Sequence, residues 1–170
     1  MSKLKPYTHA AFEQSALEWM ANSSDSNRLS APIPCACFNV RKASRAISHF
    51  YDEALHPIGL RGTQYSLLLA ISYVGHEGVG ALADVLVTDR TTLSRNLRPL
   101  IERGWVESLQ DVDKRKRAFQ LTDEGRAKLD AAIPLWERAQ ECVAERLGED
   151  TFEQLRILAN DMVALSHTTK

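Results

Sequence analysis

What the sequence lacks narrows its possible roles first. No stretch of about 18 consecutive apolar residues occurs, so no membrane span is expected. Lys3 and Lys5 are not followed by a continuous apolar segment, so no secretory signal is expected and the protein is assigned to the cytoplasm. Three cysteines are an odd number, which argues against a disulfide framework and for a reducing compartment. The histidines His9, His49, His56, His76 and His167 are scattered, and none joins Cys35 and Cys37 at zinc-ligand spacing, so no metal site is expected. The Gly-x-Ser-x-Gly elbow, the Walker loop, His-Glu-x-x-His and the dinucleotide fingerprint are all missing. No catalytic residue and no cofactor are therefore expected. Asp111 and Asp113 form a nearby carboxylate pair, but in a basic loop charge balance explains them better than acid–base chemistry.

What is present suits one folded domain with an elaborated end: 44% of residues are hydrophobic and 25% charged. The net charge of −1 hides a partition. Residues 88–121 carry eight basic side chains (Arg90, Arg95, Arg98, Arg103, Lys114, Arg115, Lys116 and Arg117) against five acidic ones. Residues 122–170 carry six against ten. Affinity for DNA depends on the charge that faces phosphates, not on the total, so the near-neutral sum does not exclude a nucleic-acid partner.

Taken in order, apolar residues recur from His9 to Met20 as in a short amphipathic helix, followed by the polar linker Asn22–Asn27 and by Pro32 and Pro34. From Cys35 to Leu55, Phe38, Ala43, Ala46, Ile47, Phe50, Tyr51, Ala54 and Leu55 form one helical stripe, ended by His56, Pro57 and Gly59. A second helix is expected from Thr63, as its cap, through Tyr65, Leu68, Leu69 and Ile71 to about Gly75. The central stretch Val79–Thr122 then reads as helix, turn, helix and β-hairpin. Leu82, Val85 and Leu86 form the first core face, and Thr88 is the expected cap of the next helix. In that helix Leu93, Leu97, Leu100 and Ile101 point inward while Arg90, Thr91, Ser94, Arg95 and Arg98 point outward. The apolar stripe continues through Pro99, so the helix is kept to about Arg103. Trp105–Leu109 and Ala118–Leu121 are the hairpin strands and Gln110–Arg117 the wing. Thr122 caps a long helix with a kink expected at Pro134. A last helix starts after Gly148 with a capping-box-like Asp150 and Glu153, and carries Phe152, Leu155, Leu158, Ala159, Met162 and Val163 on one face.

The fold expected is mainly α with a small β-hairpin wing: a winged helix-turn-helix core carried by N- and C-terminal dimerisation helices. Its segments are an N-terminal extension (1–34), a first core and dimerisation helix (35–62), the DNA-binding module (63–122) and C-terminal dimerisation helices (123–170).

The run DRTTLSRNLRPLIERGWV followed by DVDKRKRAFQLTDEG resembles the MarR family of bacterial winged-helix transcription regulators. Upstream, YDEALHPIGLRGTQYSLLLAI is similar to that family's first two core helices. The resemblance covers residues 35–165, and nothing is carried over for residues 1–34, which are longer than usual. It implies a homodimer with intertwined terminal helices that binds a pseudo-palindromic operator in double-stranded DNA. It also implies a repressor relieved by a small ligand or by oxidation. Residue by residue, Arg115 matches the wing arginine that enters the minor groove and Asp113 the acid that orients it. Thr91, Thr92, Ser94, Arg95 and Arg98 match the recognition-helix face.

The residue types fit that reading. A planar arginine fork stacks on sugars and bonds acceptors in a narrow groove. Arg95 and Arg98 are suited either to guanine in the major groove or to phosphates, and Thr92 either to DNA or to a helix cap. Lys114, Lys116 and Arg117 are assigned to phosphates. For the signal, Cys37-Phe38 is similar to the Cys-Phe pair of the family's organic-hydroperoxide sensors, with Cys35 beside it and Tyr65 able to approach; a helix N-terminus stabilises a thiolate. A free cysteine is also commonly a small buried hydrophobe. The other signal is a small molecule, which in the family would meet Phe38, Arg41, Phe50 and Tyr65, residues equally suited to ordinary core. A winged helix used only for protein interaction is a third reading. It differs in showing no steep salt dependence of nucleic-acid binding.

Overall fold

The computed structural model describes residues 35–109 and 118–167. The expected helix at His9–Met20, the linker after it and the wing segment Gln110–Arg117 lie outside the described residues. The chain divides into two compact units, residues 1–47 and 48–170, and one helix, α1 (Ala36–Leu55), runs across the division.

In the first unit the described part is the start of α1. Asn39 donates both its backbone N–H (3.1 Å) and its side-chain amide (3.2 Å) to the Cys35 carbonyl, which sets the first turn. Phe38, Ala43, Ala46 and Ile47, the first half of the apolar stripe, are exposed.

In the second unit α1 continues through half-buried Phe50, Tyr51 and Ala54 to the fully buried Leu55. A 3-10 turn at His56–Ile58 leads to α2 (Gly62–Val74). Thr63, expected as the cap of α2, lies inside its first turn. The Gly62 N–H reaches back to Asp52 Oδ1 on α1 (2.7 Å) and the Arg61 N–H to Gln64 Oε1 (3.1 Å), so the helix starts earlier. Tyr65, Leu67, Leu68, Ala70 and Ile71 are all buried, which makes α2 the central helix of the core.

A second 3-10 turn (Gly75–Glu77) leads to α3 (Val79–Val85) and then α4 (Arg90–Glu102). Leu82 and Ala83 are buried and Leu86 half-buried, but Val85, expected with them, is 57% exposed. Residues 79, 82, 83 and 86 share one helical face, and 85 falls on its flank. Thr88 does not cap α4, because Asp89 holds that place; the Thr88 N–H closes α3 by donating to the Ala83 carbonyl (2.9 Å), while the Val87 N–H donates to Asp84 (3.2 Å). This pair of bonds is a Schellman ending. Val87 occupies its left-handed position, with φ of 48°, a conformation that costs an L-residue roughly 1–2 kcal/mol.

Leu93, Leu97 and Leu100 anchor α4 in the core. Ile101, also expected inward, sits at the edge of that arc and is 40% exposed. Pro99 lies on the outer side, and the helix runs unbroken past it. Strands β1 (Val106–Leu109) and β2 (Ala118–Leu121) pair antiparallel, Val106 opposite Leu121 and Leu109 opposite Ala118. Then come α5 (Asp123–Leu147), which runs as one helix through Pro134, and α6 (Glu149–His167). Because α6 starts at Glu149, Glu153 lies too far along to reach back as a capping box, and it pairs with Arg156 instead (2.9 Å).

A junction joins α4, the hairpin and α5. The Thr122 hydroxyl accepts from the Gly125 N–H (3.1 Å) and donates to the Gly104 carbonyl (2.6 Å), while the Thr122 N–H donates to the Trp105 carbonyl (3.2 Å). A Cβ on Gly125 would lie 1.9 Å from the Trp105 carbonyl oxygen. Both partners are backbone, so neither gives way cheaply. Gly125→Ala is expected to destabilise the protein by about 3 kcal/mol, the upper range for overpacking, read as a lower midpoint in urea unfolding. A wild-type midpoint would show that the junction yields.

Candidate nucleic-acid interface

The outward face of α4 is built from its first residue onward. Asp89 is extended (φ −79°, ψ 157°) and is the N-cap. Its Oδ1 accepts from the N–H groups of Thr91 and Thr92 (both 2.9 Å), and its Oδ2 from the Thr92 hydroxyl (2.7 Å). The Thr92 hydroxyl, followed by the two backbone donors, holds the Asp89 carboxyl below the usual range. With the leucines turned inward, Arg90, Thr91, Ser94, Arg95 and Arg98 are all exposed.

Their donors are not equally available. Ser94 gives its hydroxyl proton to the Arg90 carbonyl (2.8 Å), and Thr92 gives its own to Asp89. Arg98 Nε holds Glu102 Oε1 at 2.6 Å, one turn along the exposed surface. Among the described residues, Arg90 and Arg95 make no ion pair. Arg103 serves the fold: its guanidinium lies 4.9 Å from the Trp105 ring centre and donates to the Gly59 carbonyl (3.4 Å). Lys128 sits 5.0 Å from the same ring and donates to the Ile58 carbonyl (2.9 Å). Beside α4 lies a shallow groove of about 230 Å³, with Val79, Leu97, Ile101 and Phe119 as its apolar lining and Ser94, Arg98 and Glu102 as its polar one.

Asp113, Lys114, Arg115, Lys116 and Arg117 lie outside the described residues. Cys35 and Cys37 are exposed at the start of α1, in the first unit with Phe38 and Arg41. Phe50 and Tyr65 belong to the second. Phe50 meets Tyr51 edge to face at 5.9 Å, and Tyr51 donates its hydroxyl to Gln140 on α5. Tyr65 is buried and stacked on Trp136 at 5.8 Å; burial, then the nearby Glu137, raises its phenol above the ordinary value.

Two roles on this face, Asp89 as the cap and Glu102 as the partner of Arg98, were not expected from the sequence, although each left a signal. Asp89 is a preferred N-cap type and stands directly before the helix. Glu102 follows Arg98 by four residues, the spacing of a helical ion pair.

A helix anchored by three leucines, with a capped N-terminus and a basic outer face beside a hairpin, defines a winged-helix DNA-binding protein. The family model for a winged helix DNA-binding domain matches residues 75–125. The transcriptional regulator HosA of Escherichia coli is 35% identical over 102 residues, 59% of this chain and 75% of HosA. The multiple antibiotic resistance protein MarR of Salmonella typhimurium is 29% identical over 133 residues, 76% of this chain and 82% of MarR. The crystal structure of the M. tuberculosis transcriptional regulator MosR with DNA superposes with a TM-score of 0.73 at 34% identity, covering 80% of this chain and 98% of MosR. The chain belongs to the MarR family of transcription regulators, and it is a DNA-binding regulator rather than an enzyme.

The cap carries a pH signature. Because the folded-state carboxyl of Asp89 is depressed, its contribution is complete above the ordinary carboxylate value of about 4. It is lost as the pH falls through the lower folded-state value. Asp89→Ala is expected to lower the thermal midpoint at neutral pH, and the gap to wild type should close in acid. A gap that stays constant in thermal scans down to acid pH would show that the carboxylate charge is not what caps α4.

Proposed function

We propose that the protein is a cytoplasmic homodimeric repressor, released from a pseudo-palindromic operator by a small ligand. The observation that carries the DNA contact is the leucine-anchored α4 with Arg90 and Arg95 exposed and without ion pairs among the described residues. Residues 63–122 form the reading module, and residues 35–62 and 123–170 supply the dimer arms. Thr91, Thr92, Ser94, Arg95 and Arg98 face the major groove. Arg115, oriented by Asp113, enters the minor groove, and Lys114, Lys116 and Arg117 hold phosphates.

The dimer is supported by α6. Leu155, Leu158 and Met162 are 47%, 54% and 43% exposed and lie on one face at helical spacing. Such a stripe loses water contact when it meets a second copy of itself, and two-fold symmetry then matches an operator with two half-sites. The small ligand is assigned to Phe50 and Tyr65 of the second unit, with Phe38 and Arg41 of the first as separate candidates.

The test begins by selecting bound sequences from random duplexes and titrating the selected operator at fixed salt. Arg95→Ala and Arg115→Ala are expected to weaken binding about tenfold or more while the protein stays dimeric. Leu158→Glu is expected to give a monomer by light scattering and to lose the operator. Wild-type affinity in both arginine variants would overturn the assignment of the reading surfaces, and a dimeric Leu158→Glu protein that of the dimer.

A second reading uses the thiols. It is supported by the exposure of both Cys35 and Cys37 at the N-terminal end of α1. A hydroperoxide would oxidise one thiolate to the sulfenate with release of an alcohol, and the operator would be released. Mass mapping of alkylated Cys35 and Cys37 with and without hydroperoxide is expected to show loss of a free thiol together with loss of operator binding. Unchanged thiols and unchanged binding would remove this route.

A further inference from the structure

We propose that Val87 is a specificity residue, an apolar contact for the C5-methyl group of a thymine, held against the operator by the strained turn ahead of α4. The inference rests on reading α4 as the DNA-facing helix. Val87 is the one non-glycine residue with positive φ among the described residues. Its position in the Schellman ending of α3 is normally glycine's, and a β-branched side chain fits it worst.

The fold gains little in return for that strain. The Val87 side chain is 51% exposed and is not among the residues packed on the core, whereas its neighbour Leu86 is. A glycine would hold the same two hydrogen bonds to Ala83 and Asp84 without strain and without opening the core. Strained residues of this kind cluster at active sites, ligand clamps and switch regions.

The place and the chemistry say what that is. Val87 stands two residues before Asp89, at the end of α4 that reaches base edges in a helix-turn-helix. The hydrogen bonds on either side of the turn fix its direction relative to α4. Valine cannot exchange a hydrogen bond with a base, and in the major groove thymine is the base that displays a methyl group. Arg90 and Thr91, just beyond, supply the polar contacts that Val87 lacks.

The experiment uses the full-length protein and the operator selected from random duplexes, with each thymine replaced in turn by deoxyuridine. Wild type is expected to lose about fourfold in affinity at one such position, the scale of one buried methyl group. Val87→Gly is expected to raise the thermal midpoint, to bind the unmodified operator about fourfold more weakly, and to be indifferent to that deoxyuridine. Val87→Ala keeps part of the backbone constraint and removes the γ-methyl groups, so it is expected to lose affinity while gaining less stability than Val87→Gly. If both variants bind as wild type does, or if wild type tolerates every deoxyuridine, Val87 does not read thymine. Arg95→Ala is measured in parallel. Should it also retain full affinity, the reading of α4 itself has failed and this proposal falls with it.

Discussion

The contact on which the arrangement depends is a close approach of two backbones, Trp105 against Gly125. It joins the end of α4 and the first hairpin strand to the opening turn of α5, and it leaves no room for a side chain between them. Thr122 completes the joint by using its hydroxyl twice, as acceptor for the α5 cap and as donor to the residue that follows α4. The end of α4 and the start of α5 are therefore joined by hydrogen bonds through Thr122 as well as by close packing.

The same corner consumes charge. Arg103 and Lys128 approach the Trp105 ring and donate to carbonyl groups of the Ile58–Gly59 turn. A cation placed this way gains from the ring quadrupole and from the carbonyl dipole. Arg103 belongs to the basic block counted in the sequence, yet it is committed to tying α1's terminal turn to the end of α4. On the outer face of α4 the charge without an ion pair among the described residues is that of Arg90 and Arg95, with Arg98 partly spent on Glu102.

The fold was largely legible because its helices are long and their leucines regular: Leu93, Leu97 and Leu100 are buried as their spacing requires. Errors fell at helix ends. Thr88 and Asp89 are both good caps by type, and only the bonds from the Thr91 and Thr92 N–H groups to the Asp89 carboxylate decide between them. Val85 and Ile101 are apolar at the margin of a core-facing arc, where identity alone does not say whether a neighbour covers them. The Trp105 cluster was beyond reach, since its three parts come from residues 58–59, 103–105 and 128, distant in the chain. Of the proposed contact surface, the α4 face could be read from periodicity, whereas the roles of Asp113 and Arg115 came from family resemblance alone.

The Arg98–Glu102 pair has a consequence for the ions around the complex. A cation that starts bare and ends on a phosphate frees a condensed counterion from the DNA, and each such event steepens the dependence of affinity on salt. Arg98 starts with a carboxylate already beside it. If it moved to a phosphate on binding, it would leave Glu102 to gather an ion from solution, and the exchange would return to the bulk little of what it takes. The salt slope of such a complex would register fewer charges than the helix displays. In that case the pair would exchange electrostatic strength for steadiness, leaving affinity for DNA less sensitive to salt than the basic residue count implies.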